Sequence, residues 1–154
     1  MPLEHIHPMI VHFPIVLALV ALAFDLWSIT RRGGSADTPP VVQLRTGTVL
    51  FVLGAVAAVV TYLFGDMAYD IALDRGVPEA TLEPHEGWGT ITMITFLVVA
   101  LLRVVVWWRG LDRKPMGTAL AVVPTAAVAV MVVVTAYFGG HLVYDVGVNV
   151  ASLT

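Results

Sequence analysis

The stretch HIHPMIVHFPIVLALVALAF, residues 5–24, decides how the chain is read. It is long and apolar enough to cross a bilayer, for which about 20 residues suffice. Yet it begins with three of the five histidines in the sequence. Working outward, three more runs share its length and character, giving spans at about 8–30, 44–65, 86–108 and 117–139 and a short outward tail over 140–154. The composition agrees: 58% hydrophobic residues, only 12% charged residues and a mean hydropathy of +0.89 lie far from the balance of a soluble domain. The predicted fold is an all-α membrane protein, a single four-transmembrane-helix up-down bundle. A cleaved signal peptide is not expected, because the start carries no basic region and the first apolar run is of full spanning length.

Charge sets the expected orientation. Seven of the eight basic residues (Arg31, Arg32, Arg45, Arg103, Arg109, Arg113, Lys114) fall toward one side of the four spans, and Arg75 alone falls on the other. By the positive-inside rule the first and third loops are cytoplasmic, and both termini lie on the outer, periplasmic side of a bacterial inner membrane. Trp27, Trp107 and Trp108 at one level and Trp88 at the other read as interfacial anchors in contact with lipid. The first loop, RRGGSADTPPVVQ, is a polar linker. The second, MAYDIALDRGVPEATLEPH, is predicted to form one or two turns of surface helix before Gly76 and Pro78 stop it. After the last span, HLVYDVGVNV places apolar residues at alternate positions and predicts a short extended segment against the outer mouth. The net charge of −3 gives no reason to expect a nucleic-acid partner.

Two octapeptides, VVTYLFGD (59–66) and VVTAYFGG (133–140), agree at five of eight positions and lie 74 residues apart. Each is followed by Tyr-Asp, at Tyr69-Asp70 and Tyr144-Asp145. Chance similarity between Val/Ala-rich helices is one account. The other is a duplicated helical hairpin, its halves related by a pseudo-twofold axis along the membrane normal. Carrying the offset of 74 back to the first span puts His12 within one residue of the equivalent of His85.

With no cysteine, disulfides, thiolate metal sites and covalent c-type haem attachment are excluded, and histidine is the strong metal ligand that remains. All five histidines lie toward the predicted outer side, where imidazole at the edge of hydrocarbon needs partners. In an up-down-up-down bundle the first and third helices are diagonal, so His12 and His85 are expected to face each other as the axial pair of a haem b. Gly65, Gly89 and Gly139, with Gly87 and Gly140 at the same level, are expected to give the flat macrocycle room. Pro14, two residues after His12, can kink the helix and re-aim that side chain. The corresponding function is single-electron transfer at the outer side, with quinol or another redox protein as partner, an electron-transfer protein rather than a catalyst. A second reading fills the same cluster, His7, His12, His85 and His141, with copper or zinc, Met9 and Met67 adding thioethers. A third is a structural or accessory subunit without cofactor, and an oligomer is compatible with any of the three. His5 reads as a boundary residue, His7 and His141 as ligands, propionate partners or helix caps, and Asp25 with Arg103 as a structural ion pair.

HPMIVHFPI, the Gly65-Asp66 pair closing the second span, HEGWG opening the third and GGHLVYDVGVNV after the fourth resemble a family of small bacterial membrane proteins catalogued as domain of unknown function 2231. The resemblance covers nearly the whole chain. Its most specific part is His-Pro-x-x-Val-His-Phe-Pro, matched from His7 to Pro14. It implies a four-helix membrane domain and no particular activity. His7, His12 and His85 fall in the family pattern, whereas His141 occupies a variable position of the last motif.

Overall fold

The computed structural model describes residues 5–30 and 40–148. They form five helices in chain order: α1 (Ile6–Ile10), α2 (His12–Thr30), α3 (Pro40–Asp74), α4 (Glu79–Trp108) and α5 (Pro115–Tyr144). There is no strand among the described residues. Four segments are long and apolar enough to cross a membrane: Ile6–Thr30, Val41–Asp74, Glu79–Trp108 and Pro115–Tyr144. The first loop, residues 31–39, lies outside the described residues.

Local chemistry accounts for the breaks. Pro14 has no N–H for the carbonyl of Ile10 and its ring crowds that carbonyl. The helix is interrupted at Val11, whose own N–H still reaches His7 O at 3.0 Å, and α1 and α2 become separate pieces of one span. At the other end of α3, Gly76 takes φ +86°. Its N–H bonds to Leu73 O at 2.8 Å and the Val77 N–H to Ala72 O at 3.1 Å, closing the helix in a Schellman arrangement before Pro78. Between α4 and α5, Gly110 at φ +65° leads into a 3-10 turn over Leu111–Arg113, and Pro115 starts α5 where a missing donor costs nothing.

Two sequence expectations fail around these breaks. The second loop does not begin with a separate surface helix. α3 runs on without interruption for 35 residues to Asp74, since nothing before Gly76 breaks its backbone ladder. At about 1.5 Å per residue it is longer than a hydrocarbon core of about 30 Å, and with the start of α4 it forms a helical hairpin closed at Gly76. The tail after the fourth span is not extended either. α5 continues to Tyr144, and Leu142 is buried while Tyr144 and Val146 are exposed. Leu142 follows Val128 and Val132 on the helical repeat, and the 3.6-residue period prevails over the alternation. With Ala72 and Leu82 it forms a small second core between the α3–α4 hairpin and the end of α5, joined by Tyr69, Leu73, Val77 and Val148. Asn149 and Val150, the end of the stretch read as extended, lie outside the described residues.

α2 and α4 each pack against both α3 and α5, which places α2 diagonal to α4 and α3 diagonal to α5. The main core alternates small and large side chains: Ala18 and Ala21 on α2, Phe51 on α3 stacked on Phe96 of α4 at 5.2 Å between ring centres, and Val128 and Val132 on α5. Small residues allow helices to approach closely in a membrane, where water exclusion does not drive them together.

The two halves superpose in their burial pattern. Every buried residue of α2, namely Pro14, Ala18, Ala21, Asp25 and Ser28, has a buried counterpart on α4 78 residues later: Thr92, Phe96, Val99, Arg103 and Val106. For α3 and α5 the shift is 74, and it matches buried Leu44, Ala55 and Ala58 with buried Thr118, Ala129 and Val132. The duplicated hairpin therefore has a structural counterpart. The two shifts differ by four residues because the first hairpin's connection is longer than the second's by that amount, close to one helical turn.

Candidate functional site

The histidine end of the bundle is built from four helices. His7 sits on α1 and His85 on α4, one on each diagonal helix, and their imidazole rings face one another with centres 6.1 Å apart and planes at 78°. Each ring is anchored within its own hairpin. His7 Nδ1 lies 3.0 Å from Thr61 O on α3, and His85 Nδ1 lies 3.1 Å from Thr135 O on α5. A carbonyl oxygen can only accept, so both Nδ1 atoms carry the proton, and in the neutral ring each Nε2 presents a lone pair. Neither Nε2 has a hydrogen-bond partner among the described residues. A ring held by Nδ1–H to a backbone carbonyl with Nε2 free is the arrangement that prepares histidine for metal ligation.

The glycines of this level divide into two kinds. A Cβ on Gly65 would stand 3.0 Å from Cε1 and Nδ1 of His7, and one on Gly139 would stand 2.9 Å from Cε1 of His85. These two repeat partners leave space for the imidazoles themselves rather than for a macrocycle, so their expected role changes. Gly89 is different. It lies one turn along α4 from His85, on the same side of that helix, and a Cβ there would meet nothing within 4 Å. Gly87 is open in the same way.

The remaining sequence candidates are not gathered at this point. His12 is exposed at the start of α2, beyond the interruption at Val11, and it is His7 that the bundle sets opposite His85. His141 is exposed, its Nδ1 2.6 Å from Asp145 Oδ2 one turn along α5. Met9 and Met67 are exposed too. Among the described residues no three His, Asp or Glu side chains converge as a metal ion of higher coordination would need. His5 is exposed and caps nothing with its side chain.

His7 was missed as His85's counterpart because the repeat offset came from α3 and α5. The shift proper to the first and third spans, 78, maps His7 onto His85 and Asp25 onto Arg103. The signal was present in the sequence as two polar pairs sharing one spacing. Thr61 and Thr135 were also missed: a backbone acceptor leaves no mark in a side-chain pattern.

At the opposite end, Asp25 and Arg103 are both fully buried and meet in a two-pronged ion pair, Nη1 to Oδ2 at 2.5 Å and Nη2 to Oδ1 at 2.7 Å. Arg103 Nη1 also donates to Thr125 Oγ1 at 2.6 Å, Nη2 to Thr48 Oγ1 at 3.3 Å, and the guanidinium lies over the Phe51 ring. A Cβ on Gly47 would stand 2.5 Å from Asp25 Oδ1, so only glycine fits against the carboxylate. The pair is structural: it ties together all four spans, and both charges are fully buried, where neither could be left alone.

Fold and site together define a multi-pass four-helix membrane protein with a symmetric histidine pair at one end and a buried ion pair toward the other. The chain belongs to the family described as predicted membrane protein (DUF2231), whose model matches residues 4–152. Comparison with curated proteins and with solved structures finds no match.

Proposed function

We propose that this protein is a membrane cytochrome that binds haem b between His7 and His85 and carries single electrons at the histidine end. The observation that carries the reading is the paired geometry. Two imidazoles on diagonal helices, each with Nδ1–H committed to a carbonyl, have ring centres 6.1 Å apart. With metal–nitrogen bonds of about 2.0 Å, two rings whose Nε2 atoms both point at one metal atom from opposite sides would have centres about 6.3 Å apart. The donor set suits a six-coordinate haem iron, which takes one neutral nitrogen on each face. Gly89 and Gly87 supply open backbone beside His85, and Gly65 and Gly139 leave room for the two rings against α3 and α5. The bound group would supply reversible one-electron chemistry, and the protein supplies ligands, orientation and exclusion of water.

Relative to the sequence expectation the axial pair moves from His12 and His85 to His7 and His85. The excess of basic residues at the other end favours the histidine end as the outer, periplasmic face of a bacterial inner membrane. Quinol from the membrane or a redox protein from outside would then be the electron partner. Two nitrogens do not complete the three or four protein ligands zinc ordinarily takes, which makes zinc the weaker occupant.

Absorption spectra of detergent-purified protein expressed with excess haem test the reading. The wild type should show the sharp reduced-state band of a low-spin haem b. His7→Ala and His85→Ala should each abolish the low-spin spectrum, with the double variant little worse, because the two ligands act as one unit. His12→Ala should leave the spectrum intact. A colourless wild type overturns the proposal, and metal analysis of that sample then separates a copper site from a purely structural pair.

A further inference from the structure

The seam between α3 and α4 at the arginine end holds an open groove of about 370 Å³ lined by Val42, Arg45, Thr46, Val49, Leu50 and Trp107. Apart from Arg45 and the Thr46 hydroxyl, its walls are hydrocarbon and indole. Arg45 is one-third exposed, its guanidinium lies 5.4 Å from the Trp107 ring centre, and its Nε is fixed by Asp112 Oδ2 at 2.6 Å. Asp112 is almost fully buried in the turn between α4 and α5, so the guanidinium is anchored from behind. Its two Nη groups have no hydrogen-bond partner among the described residues. The first turn of α3, starting at Pro40 and containing no acidic residue, stands at the head of the groove and adds the positive end of a helix dipole.

We infer that this groove is a binding site for an anionic phospholipid, the phosphate meeting the Nη groups of Arg45 beside Trp107 and one acyl chain lying along Val42, Val49 and Leu50. Charge and position select this occupant. The groove opens sideways from a membrane-spanning pair of helices, so what covers it is lipid, and the only charge exposed on its wall is positive. A guanidinium held at Nε keeps its outer edge for two parallel hydrogen bonds to phosphate oxygens, which a zwitterionic headgroup answers less well because its own ammonium competes. A tryptophan at that level is the ordinary companion of a headgroup. The site is independent of the histidine pair, which lies at the other end of the bundle.

Native mass spectrometry of the detergent-purified full chain, titrated with phosphatidylglycerol or phosphatidylcholine, tests the inference. The wild type should retain phosphatidylglycerol with about fivefold preference, the worth of one basic side chain at an anionic lipid surface. Arg45→Gln should erase that preference. Should Arg45→Gln fail to fold once Asp112 loses its partner, Val49→Trp keeps the cation and fills the groove, and it should weaken binding of either lipid. Arg113→Gln, an exposed charge at the same end, should change nothing. Equal retention of the two lipids by the wild type, or undiminished binding of both lipids by Val49→Trp, overturns the site. Displacement by millimolar inorganic phosphate alone would mean that the guanidinium binds free phosphate and the groove holds no chain, which also overturns it.

Discussion

The two ends of the bundle axis solve one problem in opposite ways. At each end a polar residue of the first span meets its counterpart 78 residues later, across the diagonal. Asp25 and Arg103 carry opposite charges and satisfy each other. His7 and His85 are identical and cannot form an ion pair, so each is satisfied by a carbonyl of its own hairpin and keeps a ring nitrogen unspent. The comparison teaches where function can reside: a pair that consumes its bonding capacity holds the halves together, and a pair that retains it can take a ligand.

Breaking the closed pair should have the largest effect. Arg103→Ala leaves Asp25 buried and alone, a loss of about 3–5 kcal/mol, measurable as a lower midpoint in denaturing-detergent titration. The sharper version exchanges the partners. Asp25→Arg with Arg103→Asp should recover part of the loss, because the positions are equivalent in the repeat. Recovery should be incomplete, because the counterparts of Thr125 and Thr48, whose hydroxyl oxygens accept from Arg103, are Phe51 and Val122. No recovery at all would break the equivalence.

At the open pair, Gly139→Ala should push the His85 ring out of place, with an overpacking cost of about 1–3 kcal/mol. Gly89→Ala should cost the bare protein little, because nothing lies within 4 Å of the added methyl group. Loss of haem in Gly89→Ala with an unchanged unfolding midpoint would therefore report on the space beside His85 rather than on the fold. Loss of both together would make Gly89 a packing residue.

The smallest effect separates two threonines that the repeat makes equivalent. Thr135 Oγ1 pairs with Thr92 Oγ1 at 2.9 Å, whereas the counterpart of Thr92 in the first half is Pro14, and the buried Thr61 Oγ1 has no partner. Thr135→Val should cost roughly 1 kcal/mol. Thr61→Val removes an unsatisfied hydroxyl and should be neutral or stabilising, with the His7 anchor intact because the acceptor is the backbone carbonyl. An equal loss from both would mean that the Thr61 hydroxyl has a partner of its own.

Much of this was legible in the chain. Four spans follow from hydropathy alone, since hydrocarbon tolerates only a backbone that bonds to itself. The turn between α3 and α4 follows from Gly76 and Pro78, and the Asp25–Arg103 pair from two charges too deep to stand alone. VVTYLFGD and VVTAYFGG revealed a repeat that the burial pattern reproduces. What tertiary structure decided was registration. A first connection four residues longer moves α2 by about a turn relative to α4, a displacement that similarity between α3 and α5 does not encode. That turn puts His7 rather than His12 opposite His85, and Pro14 interrupts the helix between the two histidines. Backbone acceptors such as Thr61 O and Thr135 O exist at every residue. Only the packing of one helix against another determines which of them a histidine finds.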